Sequence, residues 1–258
     1  YRVQTGAFHA DNPRRGQEVG DPIQISGHGQ LGKYPRQAVP VQASLEGLSI
    51  ARRDLFRPGA YLTLATVQTS RGCPFSCDFC SVTRFFGRTY RCRPVADVVR
   101  EIQTLGQKLI FFVDDNITSN MAQAKEFFKE LKKLKIRWVS QASINAAHDE
   151  EFLQIIKESG CQGMLIGFES LNADNLKKMN KGFNAMQAEV NIRLYITFVF
   201  GYDEDTQASF KQTVDFAQHH KFYIAAFNHL TPFPGTPLYN RLEQEGRLLF
   251  DKWWLDER

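Results

Sequence analysis

The sequence contains 258 residues, enough to bury one large α/β core with an appendage, and its formal net charge is only +4. Such a mild charge, with no long run of like charges, gives no reason to expect a nucleic-acid partner. No apolar run approaches the roughly 18 residues that span a bilayer, and the first residues lack the pattern of a signal peptide. Five cysteines, three of them clustered, are typical of reduced thiols, so we expect a cytoplasmic protein.

Residues 1–45 are rich in Gly, Pro, Gln and Arg and show no sustained hydrophobic period. A segment of this kind can hardly bury enough surface to fold alone, so we interpret it as the irregular remnant of an N-terminal domain. Residues 46–61 follow as a linker. We expect its apolar side chains to pack on the next domain, with Leu48, Ile50, Leu55 and Phe56 as the anchors.

From Leu62 the sequence becomes regular, with short apolar runs alternating with segments of helical period. Continuous apolar strands followed by amphipathic helices are typical of a parallel sheet that helices cover. Six such units indicate an α/β fold, a partial (β/α)6 TIM-like barrel, over residues 62–240. Residues 241–258 would begin a C-terminal extension.

The crossover after Glu169 is irregular, because only a few residues separate Phe183 from the strand predicted over residues 194–200. A crossover between parallel strands normally needs about a dozen residues or more. We therefore expect either a compressed crossover or a gap in the sequence near residues 185–191.

Polar side chains follow the end of each predicted strand. The carboxylates and amides at these positions are Asp114, Asp115, Asn116, Gln141, Asn145, Glu169, Asp203, Glu204 and Asn228. In parallel barrels this rim is where ligands bind, although polar residues also simply begin loops. A cysteine-rich loop at the end of the first strand favours the interpretation as a ligand site.

That loop is the most informative stretch of the chain, because Cys73, Cys77 and Cys80 lie within eight residues. A disulfide between two of them would leave one thiol over and strain so short a loop. A zinc site needs a fourth ligand, for which Cys92 is the nearby candidate, whereas an iron–sulfur cube tolerates three protein thiolates. The spacing favours the cluster and leaves zinc as the alternative. Cys92 and Cys161 are then expected to be buried, small apolar residues.

The spacing Cys-x3-Cys-x2-Cys, with Phe79 directly before the last cysteine, resembles the signature of the radical S-adenosylmethionine superfamily. The resemblance covers about Leu62 to Tyr239. Further stretches are similar to the branch of that family with an N-terminal cobalamin-binding domain, which makes residues 1–45 the remnant of such an α/β domain. These stretches are Arg71–Pro74, Phe112–Asn116, Gly167–Ser170 and Thr231–Pro237. The chain departs from that branch because it has no Asp-x-His-x-x-Gly stretch, so a cobalamin bound through a protein histidine lacks support.

The resemblance implies that Cys73, Cys77 and Cys80 hold a 4Fe-4S cluster whose fourth iron binds S-adenosylmethionine. The family produces a 5′-deoxyadenosyl radical at such a site. The three cysteines are therefore both the metal ligands and the residues expected to carry the catalysis.

The resemblance also implies how S-adenosylmethionine is held. Asp114 or Asp115 would grip the methionine amino group, and Glu169 would hydrogen-bond the ribose or the amino group. Gln141 is a further candidate, and Phe79 would lie along the adenine.

The activity implied by the resemblance is C-methylation of an unactivated carbon, with cobalamin as a further cofactor. The alternatives are a radical cyclase, a rearrangement or a methylthio transfer without cobalamin, and, from a different class, a non-catalytic iron–sulfur or zinc protein. We expect a small-molecule or lipid-like substrate and an electron donor such as flavodoxin or ferredoxin.

Overall fold

The structure is a computed structural model that describes residues 44–57, 65–172, 174 and 192–250. These residues belong to one compact unit, Gln42–Arg258. The N-terminal remnant expected over residues 1–45 lies almost wholly outside the described residues. The irregular crossover near residues 185–191 lies outside them too.

Eight strands are described, and six of them form one parallel sheet. The strands are β1 (Thr66–Val67), β2 (Ser70–Arg71), β3 (Arg91–Cys92), β4 (Leu109–Phe112), β5 (Arg137–Ala142), β6 (Cys161–Glu169), β7 (Arg193–Phe200) and β8 (Ile224–His229). The parallel sheet has the order β1-β4-β5-β6-β7-β8, so its strands follow one another in the sequence. Among the described strands, β1 and β8 form the two edges. The prediction of a six-unit parallel α/β fold is confirmed.

Six α-helices are described in the same part of the chain. They are α1 (Ser81–Phe86), α2 (Val95–Leu105), α3 (Met121–Lys132), α4 (Glu150–Glu158), α5 (Gln207–His219) and α6 (Pro237–Gln244). Short 3-10 helices occur at Arg53–Leu55 and Ile144–His148. None of the described helices has both the length and the apolar character that a membrane span requires.

The helices begin and end where the sequence supplies a suitable cap. Asn120 accepts a hydrogen bond from the backbone N–H of Gln123 before α3, and Asp149 accepts one from Phe152 before α4. Such side chains satisfy the free N–H groups of a helix's first turn. Gly106 ends α2 in the left-handed conformation, which glycine adopts at little cost.

The core lies between the sheet and the helices and is rich in large aromatic side chains. Phe112, Phe128 and Trp138 are fully buried, and the rings of Phe128 and Trp138 are stacked with centroids 4.3 Å apart. The indole N–H of Trp138 donates to the carbonyl oxygen of Ser159 at 3.1 Å, so its polar atom is satisfied. Rings of this size dominate the energetics of a core. They hold the central strands whose ends carry the polar rim.

On β4, the other face of the sheet is an open apolar wall. Along β4, Ile110 and Phe112 are buried, whereas Leu109 and Phe111 are 48% and 41% exposed. Successive side chains of a strand point to opposite faces, so the exposed pair lies on the face away from the helices. Phe111 is in register with Val139 of β5, which continues this face onto the next strand.

The prediction that apolar side chains anchor the linker is wrong for Leu48, Leu55 and Phe56, which are 40%, 74% and 44% exposed. Ile50 is partly buried. A charged residue makes the contact instead. Arg53 Nη1 lies 2.9 Å from Glu101 Oε1 of α2, and its Nη2 donates to the carbonyl oxygen of Thr66 in β1. A guanidinium can satisfy a carboxylate and a backbone carbonyl at once, which an apolar anchor cannot do.

Glu101 also forms a buried ion pair with Arg93. Arg93 Nη1 lies 2.6 Å from Glu101 Oε2, and both side chains are only 6% exposed. The same Nη1 donates to the carbonyl oxygen of Gln68 at 2.8 Å, just after β1. The pair therefore connects α2 to the backbone that leads into the cysteine loop.

We expect Glu101→Gln to lower the free energy of unfolding by about 3 kcal/mol, because it leaves buried cationic charge without its partner. Arg100→Ala on the same helix is the matched control. It removes an exposed pair with Asp97, whose loss should cost less than about 1 kcal/mol. Urea unfolding followed by circular dichroism measures both changes. A Glu101→Gln variant as stable as the unmodified protein would contradict the assignment.

Candidate active site

The three clustered cysteines lie in the loop between β2 and α1, and all three line one cavity. The cavity has a volume of ≈ 190 Å³ and is open to solvent. None of the five cysteines forms a disulfide, so no disulfide competes with a ligand for these side chains.

Four of the five other predicted site residues line the same cavity. Phe79 comes from the cysteine loop, Asp115 follows β4, Gln141 lies in β5 and Glu169 ends β6. Gln141 Nε2 donates to the backbone carbonyl oxygen of Asp115 at 3.0 Å, which ties two neighbouring strand ends together. Their roles in binding stay predictions. The structure shows that the four side chains line one cavity at one rim of the sheet.

Asp114, the fifth predicted residue, does not line the cavity. Its buried carboxylate accepts hydrogen bonds from the N–H and the hydroxyl of Thr69, at 3.1 and 2.8 Å, and from the N–H and hydroxyl of Ser70. Burial raises the pKa of Asp114 above the ordinary carboxyl value, and the hydrogen bonds from Ser70 and Thr69 oppose that rise. Asp114 thus holds the backbone between β1 and β2, whereas its neighbour Asp115 lines the cavity.

The start of the cysteine loop depends on Gly72. Its φ of +88° lies in the left-handed region, and a β-carbon there would be 2.3 Å from the carbonyl oxygen of Thr89. Its N–H donates to Asp115 Oδ2 at 2.9 Å. The antiparallel pairing of β2 with β3, which the sequence did not predict, brings Thr89 this close. Only glycine fits this passage into the loop.

Glu169 has an unusual backbone for its residue type. Its φ is +65°, and the register between β6 and β7 shifts between Gly167 and Glu169. A non-glycine residue in the left-handed region stores about 1–3 kcal/mol of strain, and such irregularities aim side chains at functional sites. The strain therefore marks Glu169 as a carboxylate placed at the cavity wall, where it is only 7% exposed.

Three polar residues that were not predicted as ligands also line the cavity: Asn116, Ser143 and Thr197. Asn116 Nδ2 donates to Ser143 Oγ at 2.6 Å, and Asn116 Oδ1 accepts from the hydroxyl of Thr118 at 2.9 Å. The sequence did place Asn116 at the polar rim, beside Asp115. Thr197 lies in the middle of the apolar strand β7 and gives no such signal.

Comparison with known proteins decides the family. Residues 67–217, more than half of the chain, match the family described as the radical SAM superfamily. The chain belongs to the radical SAM superfamily. The predicted family is thereby confirmed, with the cysteine loop inside the matching stretch.

Individual radical SAM proteins show how far the likeness extends. The chain is 36% identical over 202 residues to the bacteriochlorophyllide d C-12(1)-methyltransferase of Chlorobaculum tepidum, a match covering 72% of this chain and 44% of that protein. It is 28% identical over 199 residues to the anaerobic magnesium-protoporphyrin IX monomethyl ester cyclase of Cereibacter sphaeroides, covering 70% and 32%. The chain thus spans less than half the length of these relatives.

A solved radical SAM structure has the same fold. It is the radical S-adenosylmethionine methyltransferase TsrM from Kitasatospora setae, with cobalamin and a 4Fe-4S cluster bound. The TM-score is 0.64 at 22% sequence identity, over 70% of this chain and 39% of that one. At this identity the likeness supports the fold, the partial barrel described above.

The donor set of this radical SAM chain fits a 4Fe-4S cluster. Three thiols line one cavity, and such a cluster accepts three protein thiolates on three different irons. Within the described ranges, no three His, Cys, Asp or Glu side chains are grouped so as to hold a single metal ion. Three soft thiol donors suit a cluster, whereas a structural zinc site usually takes four protein ligands.

The two remaining cysteines lie away from the cavity. Cys92, the fourth ligand in the zinc alternative, lines a smaller cavity with Tyr90 and Gln123, and burial raises its pKa. Cys161 begins β6, is buried as expected, and burial raises its pKa to about 12. Cys92 is only partly buried, less than expected.

We expect Gly72→Ala to reduce the iron bound after anaerobic reconstitution severalfold, because the new β-carbon would push the loop away from Thr89. Gly106→Ala is the control, since Gly106 also has a positive φ, +61°, but its β-carbon would meet open space. That substitution carries only the backbone cost of about 1–2 kcal/mol. Iron and sulfide analysis, with thermal unfolding of each variant, separates the two effects. Equal iron content in the two variants would contradict the role of Gly72.

Proposed function

We propose that this chain forms the cofactor-binding core of a radical S-adenosylmethionine enzyme that methylates a carbon atom of an apolar small molecule. The observation that carries the proposal is the convergence of Cys73, Cys77 and Cys80 with the carboxylates of Asp115 and Glu169 on one cavity. The 36% identity to a bacteriochlorophyllide methyltransferase supports methyl transfer as the outcome.

In this proposal Cys73, Cys77 and Cys80 hold the 4Fe-4S cluster. When bound, the cluster supplies the low-potential electron that cleaves the C–S bond of S-adenosylmethionine and gives a 5′-deoxyadenosyl radical. The N–H of Cys80 donates to the carbonyl oxygen of Cys77 at 3.2 Å, so these two cysteines belong to one tight turn. A partner such as flavodoxin or ferredoxin would deliver the electron.

The residues around the thiols suit S-adenosylmethionine, whose amino and sulfonium groups are cationic. We assign the carboxylates of Asp115 and Glu169 to the amino group and the ribose. Phe79 offers an aromatic ring to the adenine. The side-chain amide of Gln141 donates a hydrogen bond to the backbone carbonyl of Asp115, so this side chain is already oriented before a ligand binds. Such preorganisation lowers the entropic cost of binding.

The apolar wall of the sheet supports an apolar or lipid-like substrate. Leu165 lines the cavity and is in register with Gln141, and Phe111 lies on the same face through its register with Val139. This arrangement continues the cavity onto the apolar side chains of Phe111 and Val139 on the neighbouring strands. A wall of this kind keeps water away from a reactive radical.

Two further elements of the proposal rest on relatives alone. We include cobalamin as a cofactor of the intact protein because the solved methyltransferase binds it. No described residue is assigned to cobalamin, and the sequence has no Asp-x-His-x-x-Gly stretch for a histidine ligand. A radical cyclase is the second candidate function, since a cyclase is 28% identical to the chain.

Separate substitutions of Cys73, Cys77 and Cys80 by alanine should each abolish formation of 5′-deoxyadenosine by the reconstituted, reduced protein in the presence of S-adenosylmethionine. Each substitution removes one of three irreplaceable iron ligands. Chromatography of the reaction mixture measures the product. Cys92→Ala and Cys161→Ala are the controls and should retain at least about half of the activity, because neither thiol lines the cavity. Loss of the cluster in Cys92→Ala would favour a closed, four-ligand site instead.

Methyl transfer is tested with S-adenosylmethionine that carries a trideuterated methyl group. The protein in its natural full length is incubated with this probe, reductant, methylcobalamin and a small-molecule extract of the source cells. We expect a product that carries the deuterium label, detected by mass spectrometry. A product that has lost hydrogen without gaining the label would support the cyclase instead.

A further inference from the structure

The turn that carries Phe79 is attached to a distant part of the barrel. Asp78 and Phe79 are the two central residues of the turn between Cys77 and Cys80. The hydroxyl of Tyr202, which follows β7, donates to Asp78 Oδ1 at 2.6 Å. These two side chains are 124 positions apart in the sequence, so the bond closes a long-range contact.

A second hydrogen bond attaches the same residue. The backbone N–H of Leu238, in the first turn of α6, donates to the carbonyl oxygen of Asp78 at 3.0 Å. Leu238 is fully buried, and α6 begins with Thr236 accepting from the N–H of Tyr239. Asp78 is thus held on its backbone and on its side chain by two separate elements.

Tyr202 is itself rigidly placed. Its side chain is 3% exposed, and Phe79 and Leu230 pack against it. Asp205 Oδ2 accepts hydrogen bonds from the backbone N–H groups of Gly201 and Tyr202, at 2.7 and 3.1 Å. The donor to Asp78 therefore has little freedom to follow the loop if the loop moves.

We propose that Tyr202 is a positioning residue that acts through Asp78 to fix Phe79 against the adenine of S-adenosylmethionine. The inference rests on the proposed function, because it assigns the cavity beside Phe79 to that ligand. The hydroxyl of Tyr202 restrains the turn through Asp78, and the ring of Tyr202 packs against Phe79. Both contacts hold Phe79 in the orientation in which it lines the cavity.

The expected effect of Tyr202→Phe is a tenfold or so weaker binding of S-adenosylmethionine, about the contribution of one hydrogen bond to a carboxylate. Asp78→Ala should weaken binding similarly, whereas Asp78→Asn keeps an acceptor for the hydroxyl and should bind nearly as well as the unmodified protein. The double variant Asp78→Ala with Tyr202→Phe should be no weaker than either single variant, because both remove the same bond. Tyr223→Phe is the control, since Tyr223 is 65% exposed and does not line the cavity.

The measurement is the dissociation constant of S-adenosylmethionine for the reconstituted full-length protein, expressed per cluster from iron analysis. The spectrum of the reduced cluster in electron paramagnetic resonance, with and without S-adenosylmethionine, is the second readout. It should shift less in Tyr202→Phe than in Tyr223→Phe. Unchanged binding in Tyr202→Phe, or additive losses in the double variant, would overturn the positioning role.

The same experiment separates this inference from the proposed function. An unmodified protein that loads a cluster but neither binds S-adenosylmethionine nor forms 5′-deoxyadenosine refutes the proposed function. An unmodified protein that does both, beside a Tyr202→Phe variant that matches it, refutes only the role of Tyr202. Should Tyr202→Phe fail to fold, the comparison of Asp78→Ala with Asp78→Asn decides the question alone.

Discussion

The buried carboxylate of Asp114 is the constraint on which the entrance to the site depends. It accepts hydrogen bonds from four donor groups of Thr69 and Ser70, two backbone N–H groups and two hydroxyls. A buried carboxylate is costly unless donors surround it, so the backbone that supplies those donors cannot move away. That backbone leads directly into Gly72 and the cysteine loop. Asp114, which follows β4 and does not line the cavity, therefore helps to position Cys73, the first thiol of the loop.

Asp114 holds the backbone and Asp115 lines the cavity, and this difference shows how far the sequence could predict the site. The three cysteines were predictable because thiolate spacing is a local property, and the six repeated units were predictable because hydrophobic period is local too. Which of two adjacent aspartates faces the cavity depends on donors 44 to 45 residues away in the sequence. The same holds for Arg53, whose partner Glu101 lies on a distant helix, and an apolar anchor was wrongly expected in its place.

The carboxyl end of β6 illustrates a second limit. A regular strand would alternate its side chains, yet Phe168 and Glu169 are both buried. The register shift and the left-handed backbone of Glu169 make this possible, and neither has a signature in residue type. The hydrophobic pattern of the sequence could place Glu169 at the rim. The direction of its side chain depends on how β6 pairs with β7. Strain at this position persists because the surrounding sheet fixes it.

The unpaired edges of the sheet have a consequence for the diversity of this fold. A closed barrel fixes its own diameter through strand number and stagger. In the described part of this chain β1 and β8 are not hydrogen-bonded to each other, so the curvature of the sheet is not set by closure. The spacing between the edges can then change during evolution while every strand keeps its neighbours. An open sheet of this kind can accommodate ligands of different width beside the same three thiols.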